Sequence, residues 1–368
     1  MHVVLSGYYG FDNVGDEAIL FSIITALRNK QSDIKITVLS NNPASTKKTY
    51  QVNAVNRHRI HEISRVIKES DGLISGGGSL LQDVTGIKSI PYYTSIIQIA
   101  TFHKKPVFVY AQGMGPINRK FCKKLVAFTL NKVDRITVRD LDSKKLLQQL
   151  GVKQNTMIVP DPVLGLDGTL FEYNGIITDD SFITVSVRDW KTDTQFKRKI
   201  ANCLDKLVQQ GYSIVFVPMH GKHDEIASRE TAAEMKADST IISSQLPMQE
   251  KIAIIGKSNL LIGMRLHALI FSAITHTPFI AISYDPKIDA FASICEQPVA
   301  GHVAENDWDG FSLYECTNNK LHNRIQTIDV LKQKVANLRE DAVNTSVLAL
   351  ETFSLENNKL GSGAPLKR

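Results

Sequence analysis

A glycine, an arginine and a histidine fall together in Gly263-Met264-Arg265-Leu266-His267-Ala268, between the apolar runs 259–262 and 269–274. That pattern places a buried strand on one side and a helix on the other. At such a junction backbone N–H groups lack partners and the helix dipole favours an anion. Arg265 adds a planar fork of donors matched to carboxylate or phosphate. His267 adds a group that gives or takes a proton near neutral pH. The set suits a small, multiply charged acid that is protonated in order to react. A plainer reading pairs Arg265 with a structural carboxylate and makes His267 a satisfied core histidine. The residue types alone leave both open.

Other chemistry-bearing residues recur at predicted strand ends. Val187-Arg188-Asp189-Trp190 offers a second guanidinium in the same half, and a phosphorylated acid that also carries a carboxylate needs two. Adjacent Arg and Asp otherwise form surface pairs of small value. Lys287, in Tyr284-Asp285-Pro286-Lys287, opens a predicted helix, where it either holds a phosphate or stands as a surface lysine. The loop Gly7-Tyr8-Tyr9-Gly10-Phe11-Asp12-Asn13-Val14-Gly15-Asp16-Glu17 has three glycines for tight turns but is not G-x-G-x-x-G, which argues against a dinucleotide. Asp12 and Asn13 are expected to touch sugar hydroxyls, with Asp12 or Asp16 placed to draw a proton from one. Asp16 followed by Glu17 reads equally as a helix cap. Gly76-Gly77-Gly78-Ser79 and Ala111-Gln112-Gly113-Met114-Gly115-Pro116 are expected to be loops. They either leave a ligand room against backbone N–H groups or close tight packing turns. Arg139, in Val138-Arg139-Asp140, ends a further strand. The two histidines and aspartate of residues 219–224 lack metal spacing, so neither a metal nor any other cofactor is expected.

Positioning these residues requires strand ends, and the chain supplies them regularly. Short Val- and Ile-rich runs alternate with amphipathic segments, the mark of parallel sheets covered by helices. Strands are predicted near residues 3–6, 34–39, 72–75, 107–110, 136–138 and 157–159, then near 182–187, 213–218, 240–243, 260–263 and 279–283. The fold class is therefore α/β, with two doubly wound Rossmann-like domains facing across a cleft, where ligands collect at the carboxyl ends of strands. An N-terminal domain is expected over 1–165. Residues 166–180 read as a linker, and a second domain is expected over 181–320. Residues 300–319 look irregular. A helix over 321–357 is expected to pack back across the domains, and 358–368 has the composition of a disordered tail.

At 368 residues with 43% hydrophobic and 22% charged content, two domains of an enzyme-sized protein are expected. The net charge of +6 allows an anionic substrate or an acidic membrane surface. Nucleic acid is not expected, because no basic stripe is interleaved with aromatics. The four cysteines, Cys122, Cys203, Cys295 and Cys316, are far apart and read as free thiols in a reducing compartment. The start of the chain has no basic region before a long apolar core. The most apolar stretch, 259–284, is broken by Arg265, His267, His276 and Pro278. A cytoplasmic location is expected. Oligomeric state is not legible.

The motifs together resemble the polysaccharide pyruvyl transferases, in particular the bacterial branch that acts on cell-wall polymers. The resemblance rests on the Gly7–Asp16 loop, Gly76-Gly-Gly-Ser79, Gln112-Gly-Met-Gly115, Val138-Arg-Asp140, Asp161-Pro162, Ser186-Val-Arg-Asp189, Gly263-Met-Arg-Leu-His267 and Tyr284-Asp-Pro-Lys287, in the family's order. It implies a GT-B-like pair of domains and phosphoenolpyruvate as donor. It also implies a 4,6-linked pyruvate ketal on a sugar as product. It assigns donor contacts to Arg188, Arg265 and His267, and Lys287 is expected to assist the phosphate. Acceptor contacts are expected from Asp12, Asn13, Gly77, Gln112 and Arg139. The implied acceptor is N-acetylmannosamine in a lipid-diphosphate-linked disaccharide, met at the inner face of the membrane with at most peripheral contact. The implied polymer later anchors surface-layer proteins.

The chemistry is consistent with that resemblance. Protonation of the methylene carbon of phosphoenolpyruvate makes the neighbouring carbon cationic, and a sugar hydroxyl adds there. Loss of phosphate and attack by a second hydroxyl give the ketal. His267 is the candidate acid, or else a phosphate anchor. The competing readings are a glycosyltransferase that uses a nucleotide sugar on the same scaffold and a non-catalytic carbohydrate binder. The latter would want aromatic platforms, yet only Trp190 and Trp308 occur.

Overall fold

The computed structural model describes residues 1–84, 86–175, 177 and 181–361. The chain divides into two compact units, one of residues Met1–Gly165 joined by the chain from Arg339 onward, the other of Leu166–Leu338.

The first unit opens β1 (His2–Ser6), α1 (Val14–Lys30), β2 (Lys35–Ser40), α2 (Pro43–Tyr50), β3 (Asn53–Asn56), α3 (Ile60–Glu69) and β4 (Gly72–Ser75). It continues with β5 (Gly78–Leu81), α4 (Ser89–Phe102), β6 (Val107–Met114), α5 (Lys120–Leu130), β7 (Arg135–Val138), α6 (Leu141–Gln149) and β8 (Thr156–Ile158). The sheet runs β3-β2-β1-β4-β6-β7-β8, all pairs parallel, with β5 added on β6. Helices α3 to α6 close one face over a core of Ile63, Ile67, Ile96, Val126 and Leu147.

The second unit contains β9 (Phe182–Ser186), α7 (Phe196–Gln209), β10 (Ser213–Phe216), α8 (Gly221–Ala233), β11 (Thr240–Ile241) and α9 (Met248–Lys257). After these come β12 (Leu260–Gly263), α10 (Leu266–Ile274), β13 (Phe279–Ser283), α11 (Pro286–Ile294), β14 (Val299–His302) and α12 (Gly310–His322). Its parallel order, β11-β10-β9-β12-β13-β14, reverses direction at β9, the doubly wound pattern. The strands are buried along their length because helices cover both faces, which is why they read as unbroken Val and Ile runs.

Several local expectations are corrected. Gln112 and Gly113 are not in a loop: β6 continues to Met114 because β5 pairs with it, Gly78 opposite Gln112. The register shifts between Val109 and Gln112, where Ala111 takes φ +47, so the extra residue is absorbed as a bulge. Residues 300–319 are not irregular; they hold β14 and most of α12, which Asp309 caps with a reciprocal Ser312 bond. The last helix, α13 (Arg324–Gly361), runs unbroken over 38 residues. Its start contributes Leu331 and Val335 to burial, and its later part buries Ala342, Ser346, Ala349 and Phe353. The Phe353 ring lies where a Cβ on Gly72 would stand, at 2.3 Å, so β4 needs glycine there. Within the stretch read as a linker, Gly168–Leu170 forms a short 3-10 turn. Residues 176, 178–180 and 362–368 lie outside the described residues.

Candidate active site

In the second unit, polar residues follow four adjacent strands. Arg188 follows β9, His220 follows β10, Arg265 and His267 follow β12, and Lys287 follows β13. Arg265 is the N-cap of α10, with extended backbone, and His267 stands part-buried in the helix's first turn. The Arg265 fork is occupied in part. Its Nε donates to Asp224 Oδ2 at 2.8 Å and its Nη2 donates to Asp224 Oδ1. Asp224 is buried in the first turn of α8 and also accepts from the Met219 backbone N–H at 3.2 Å. The plainer reading of Arg265, a structural carboxylate partner, thus holds for two of its nitrogens. Nη1 makes no hydrogen bond among the described residues, and the guanidinium keeps some exposure.

Lys251, on α9, is fully buried. Its Nζ donates to the Pro218 and Ser244 carbonyls at 2.8 and 2.9 Å, joining the loops after β10 and β11. Burial lowers Lys251 to about 8, and the Asp224 carboxylate opposes that shift. His220 feels the same charges. Burial and then Arg265 hold it below the ordinary imidazole range, with His223 and Arg188 adding to the effect and Asp224 opposing it.

Arg188 lies 4.4 Å from the Tyr284 ring centroid and 5.2 Å from that of Trp190. These contacts orient the guanidinium without consuming it. Lys287 lies 5.7 Å from the same Tyr284 ring and donates to Asp285 Oδ2 at 3.0 Å. Ser186, at the end of β9, buries a hydroxyl with no hydrogen-bond partner among the described residues. Asp224, Lys251, Ser186 and Tyr284 were not singled out as site residues from sequence. Ser186 and Tyr284 lie inside the quoted motifs, and a lysine within an apolar helical run, Lys251 beside Ile252, Ala253 and Ile254, was a further signal.

In the first unit the β1–α1 loop is held by its own residues. Asn13, not Asp16, caps α1, accepting from the Gly15 N–H at 3.1 Å. Glu17 accepts from the Gly10 N–H at 2.7 Å and from the Tyr50 hydroxyl at 2.5 Å. Asp12 is exposed at φ +58, a left-handed conformation that aspartate tolerates better than most residues. Asp16 approaches β5, where a Cβ on Gly78 would lie 2.7 Å from its Oδ1. Burial, reinforced by Glu17 and Asp161 and opposed by Arg139, raises Asp16 to about 7. Arg139 donates to Asp161 at 3.1 Å and to Ser79 Oγ at 3.0 Å. Gln112 donates to Ser75 Oγ at 2.7 Å while its Oε1 is buried with no partner among the described residues. The Tyr9 hydroxyl is likewise orphaned, beside Gly76. Gly77 faces Ile19, which a Cβ would meet at 2.9 Å. Asp16, Arg139, Ser79 and Gly78 therefore form one neighbourhood. Asn13 is engaged in capping.

Residues 13–286 match the family model described as polysaccharide pyruvyl transferase. The chain belongs to the polysaccharide pyruvyl transferase family. As a pyruvyl transferase it is an enzyme that transfers pyruvyl groups to polysaccharide. A curated relative is the amylovoran biosynthesis protein AmsJ of Erwinia amylovora, 21% identical over 353 residues, covering 78% of this chain and 84% of the relative. Among solved structures, the pyruvyl transferase is similar to S. aureus MnaA in its structure with UDP, with TM-score 0.67, 12% identity and 97% of each chain covered. It is also similar to HepE of Anabaena in complex with UDP-glucose, with TM-score 0.64, 11% identity, and 96% of this chain and 99% of that one covered. At these identities the likeness is one of fold: two Rossmann-like units of the GT-B kind.

Proposed function

We propose that this pyruvyl transferase takes phosphoenolpyruvate as donor and forms a 4,6-pyruvate ketal on an amino sugar, N-acetylmannosamine of a lipid-diphosphate-linked disaccharide, releasing phosphate. The observation that carries the reading is the gathering of Arg188, Arg265, His267 and Lys287 on the carboxyl edge of β9, β12 and β13. Three cations and an imidazole at one edge suit a carboxylate and a phosphate on a three-carbon frame.

In this reading Arg188 and the free Nη1 of Arg265 hold the anionic ends of the donor. Lys287 leaves Asp285 to assist the departing phosphate. His267 gives its proton to the methylene carbon, and one sugar hydroxyl bonds to the adjacent carbon. The carbon–oxygen bond to phosphate then breaks as the second hydroxyl attacks. Of the two hydroxyl protons released, one restores the imidazole and the other leaves with inorganic phosphate. On the first unit, Asp16, at about 7, is poised to accept a hydroxyl proton at neutral pH. Asp12, Gln112, Arg139 and the backbone at Gly77 orient the sugar, with Asn13 securing the loop that carries Asp12 and Asp16. The donor is a metabolite of the cytoplasm, and the reaction is assigned to the inner face of the membrane.

The test mixes enzyme, phosphoenolpyruvate and the lipid-free disaccharide and follows phosphate release together with the mass of the sugar. Equal phosphate and ketal support the reading. Nucleotide release from a nucleotide sugar, with no reaction of phosphoenolpyruvate, would replace it with glycosyl transfer.

A further inference from the structure

Residues 84–133 contain no aspartate or glutamate at all, although the chain has 37. The same fifty residues carry Lys88, Lys104, Lys105, Arg119, Lys120, Lys123, Lys124 and Lys132, so the other 35 Lys and Arg face all 37 acids. The chain's positive charge is thus concentrated in this one segment, and the remainder is slightly acidic. Among the described residues no carboxylate forms an ion pair with any of these eight cations.

The segment also carries five large apolar side chains on the surface: Val84 at 63% exposure, Ile87 at 52%, Phe102 at 82%, Phe121 at 68% and Phe128 at 56%. Helices α4 and α5 pack against each other on one face of the first sheet. Gln98 donates to Thr129 between them at 3.1 Å. The loops that enter the two helices are tied together as well. Asp83 accepts from the Asn118 and Arg119 N–H groups at 2.9 and 2.8 Å. The Asp83 bonds bring its neighbour Val84 to the Asn118–Arg119 backbone, while Ile87 and Lys88 directly precede α4 as Arg119 precedes α5. Both entry loops follow carboxyl ends of parallel strands, β5 and β6, the end that also bears Gly76–Ser79 and Arg139.

We propose that the outer surface of α4, α5 and the loops that enter them, led by Val84, Ile87 and Phe121 and ringed by Lys88, Arg119, Lys120, Lys123 and Lys124, seats the enzyme on an anionic lipid surface. Apolar side chains entering the interface and lysines above them are the two components such binding needs. Charge complementarity excludes a second copy of the chain, which would set eight cations against eight. Phe121 is a stacking face, but its neighbours Val84 and Ile87 offer a nucleic acid neither stacking nor hydrogen bonds, so lipid is the occupant chosen and an oligonucleotide is the alternative the test includes. The inference deepens the reading of a lipid-carried acceptor, because the surface lies at the strand end that carries the proposed acceptor residues.

The experiment sediments full-length enzyme with vesicles of phosphatidylcholine alone or with 30% phosphatidylglycerol, at low and high salt. Binding is expected on the anionic vesicles and to weaken with salt. Ile87→Ser with Phe121→Ser, and separately Lys120→Gln, Lys123→Gln and Lys124→Gln together, should each lower the partition coefficient about tenfold or more. Both variants should keep wild-type turnover on the lipid-free disaccharide. Wild-type enzyme that ignores anionic vesicles, variants that bind as well as wild type, or preferential binding of an oligonucleotide would overturn the proposal. The two readings fail separately. Vesicle binding without ketal formation on any acceptor would keep this surface and remove the acceptor assignment, whereas ketal formation without vesicle binding would do the reverse.

Discussion

Arg265 shows how a side chain can be both paired and available. Asp224 takes two of its nitrogens, so the guanidinium is fixed in direction before any ligand arrives. Asp224 is then a positioning residue. Asp224→Asn should raise KM for phosphoenolpyruvate about tenfold with a smaller change in kcat, and Arg265→Lys should raise it at least as much because the fork is lost. Steady-state kinetics at varied donor concentration read the split. His267→Ala is expected to cut kcat by about 10²- to 10⁴-fold with an unchanged melting temperature; turnover near that of wild type would exclude the imidazole as the acid. Asp16 makes a separate claim. Its folded value, near 7, lies above the ordinary 3.8, so its contribution to stability is present below 3.8 and is lost as pH rises through 7. Asp16→Asn should therefore match wild type in stability near pH 4 and exceed it above pH 7, by at most about 4 kcal/mol. Denaturant melts at the two pH values check this, and a loss of stability at high pH would contradict the assigned shift.

At the scale of elements, the strand ends do the placing. α10 starts at Leu266, two residues after β12 ends at Gly263, and that two-residue connection leaves the arginine at the cap and the histidine in the first turn. α1 depends on a different device, the Asn13 side chain accepting from Gly15. Asn13→Ala should cost about 1 kcal/mol of stability by denaturant melting. Because the same loop carries Asp12 and Asp16, it should also raise KM for the acceptor while leaving KM for the donor unchanged. The β6 bulge at Ala111 serves the first unit similarly. It carries the strand on to Met114 and leaves the Gln112 side chain donating to Ser75 of β4, with its Oε1 lacking a partner among the described residues.

For the whole molecule, α13 has consequences beyond its length. Its residues from Arg339 on belong with the first unit, where Phe353 fills the space left by Gly72. Phe353→Ala should remove about 3–5 kcal/mol from the first unit. A chain ending at Leu338 should leave that unit unable to complete its core, seen as aggregation or a lowered first melting transition. Among the described residues no helix is long and apolar enough to cross a membrane.

What the sequence determined by itself was the α/β class, most strand positions and the family motifs. Strand and helix periodicities are local, and residue types at strand ends survive in the order of the chain. The elements it did not reveal depend on distant partners. β5 exists because β6 is there to pair with it, and β14 because β13 is. Asp224 is 41 residues from Arg265, and no spacing rule joins them. Only the folded chain decided that Asn13 rather than Asp16 caps α1, that Arg265 has one nitrogen to spare among the described residues, and that Lys251 is buried with two backbone carbonyls as its partners. Those outcomes turn on which groups are brought within hydrogen-bond reach once water is excluded, and that is a property of the packed structure.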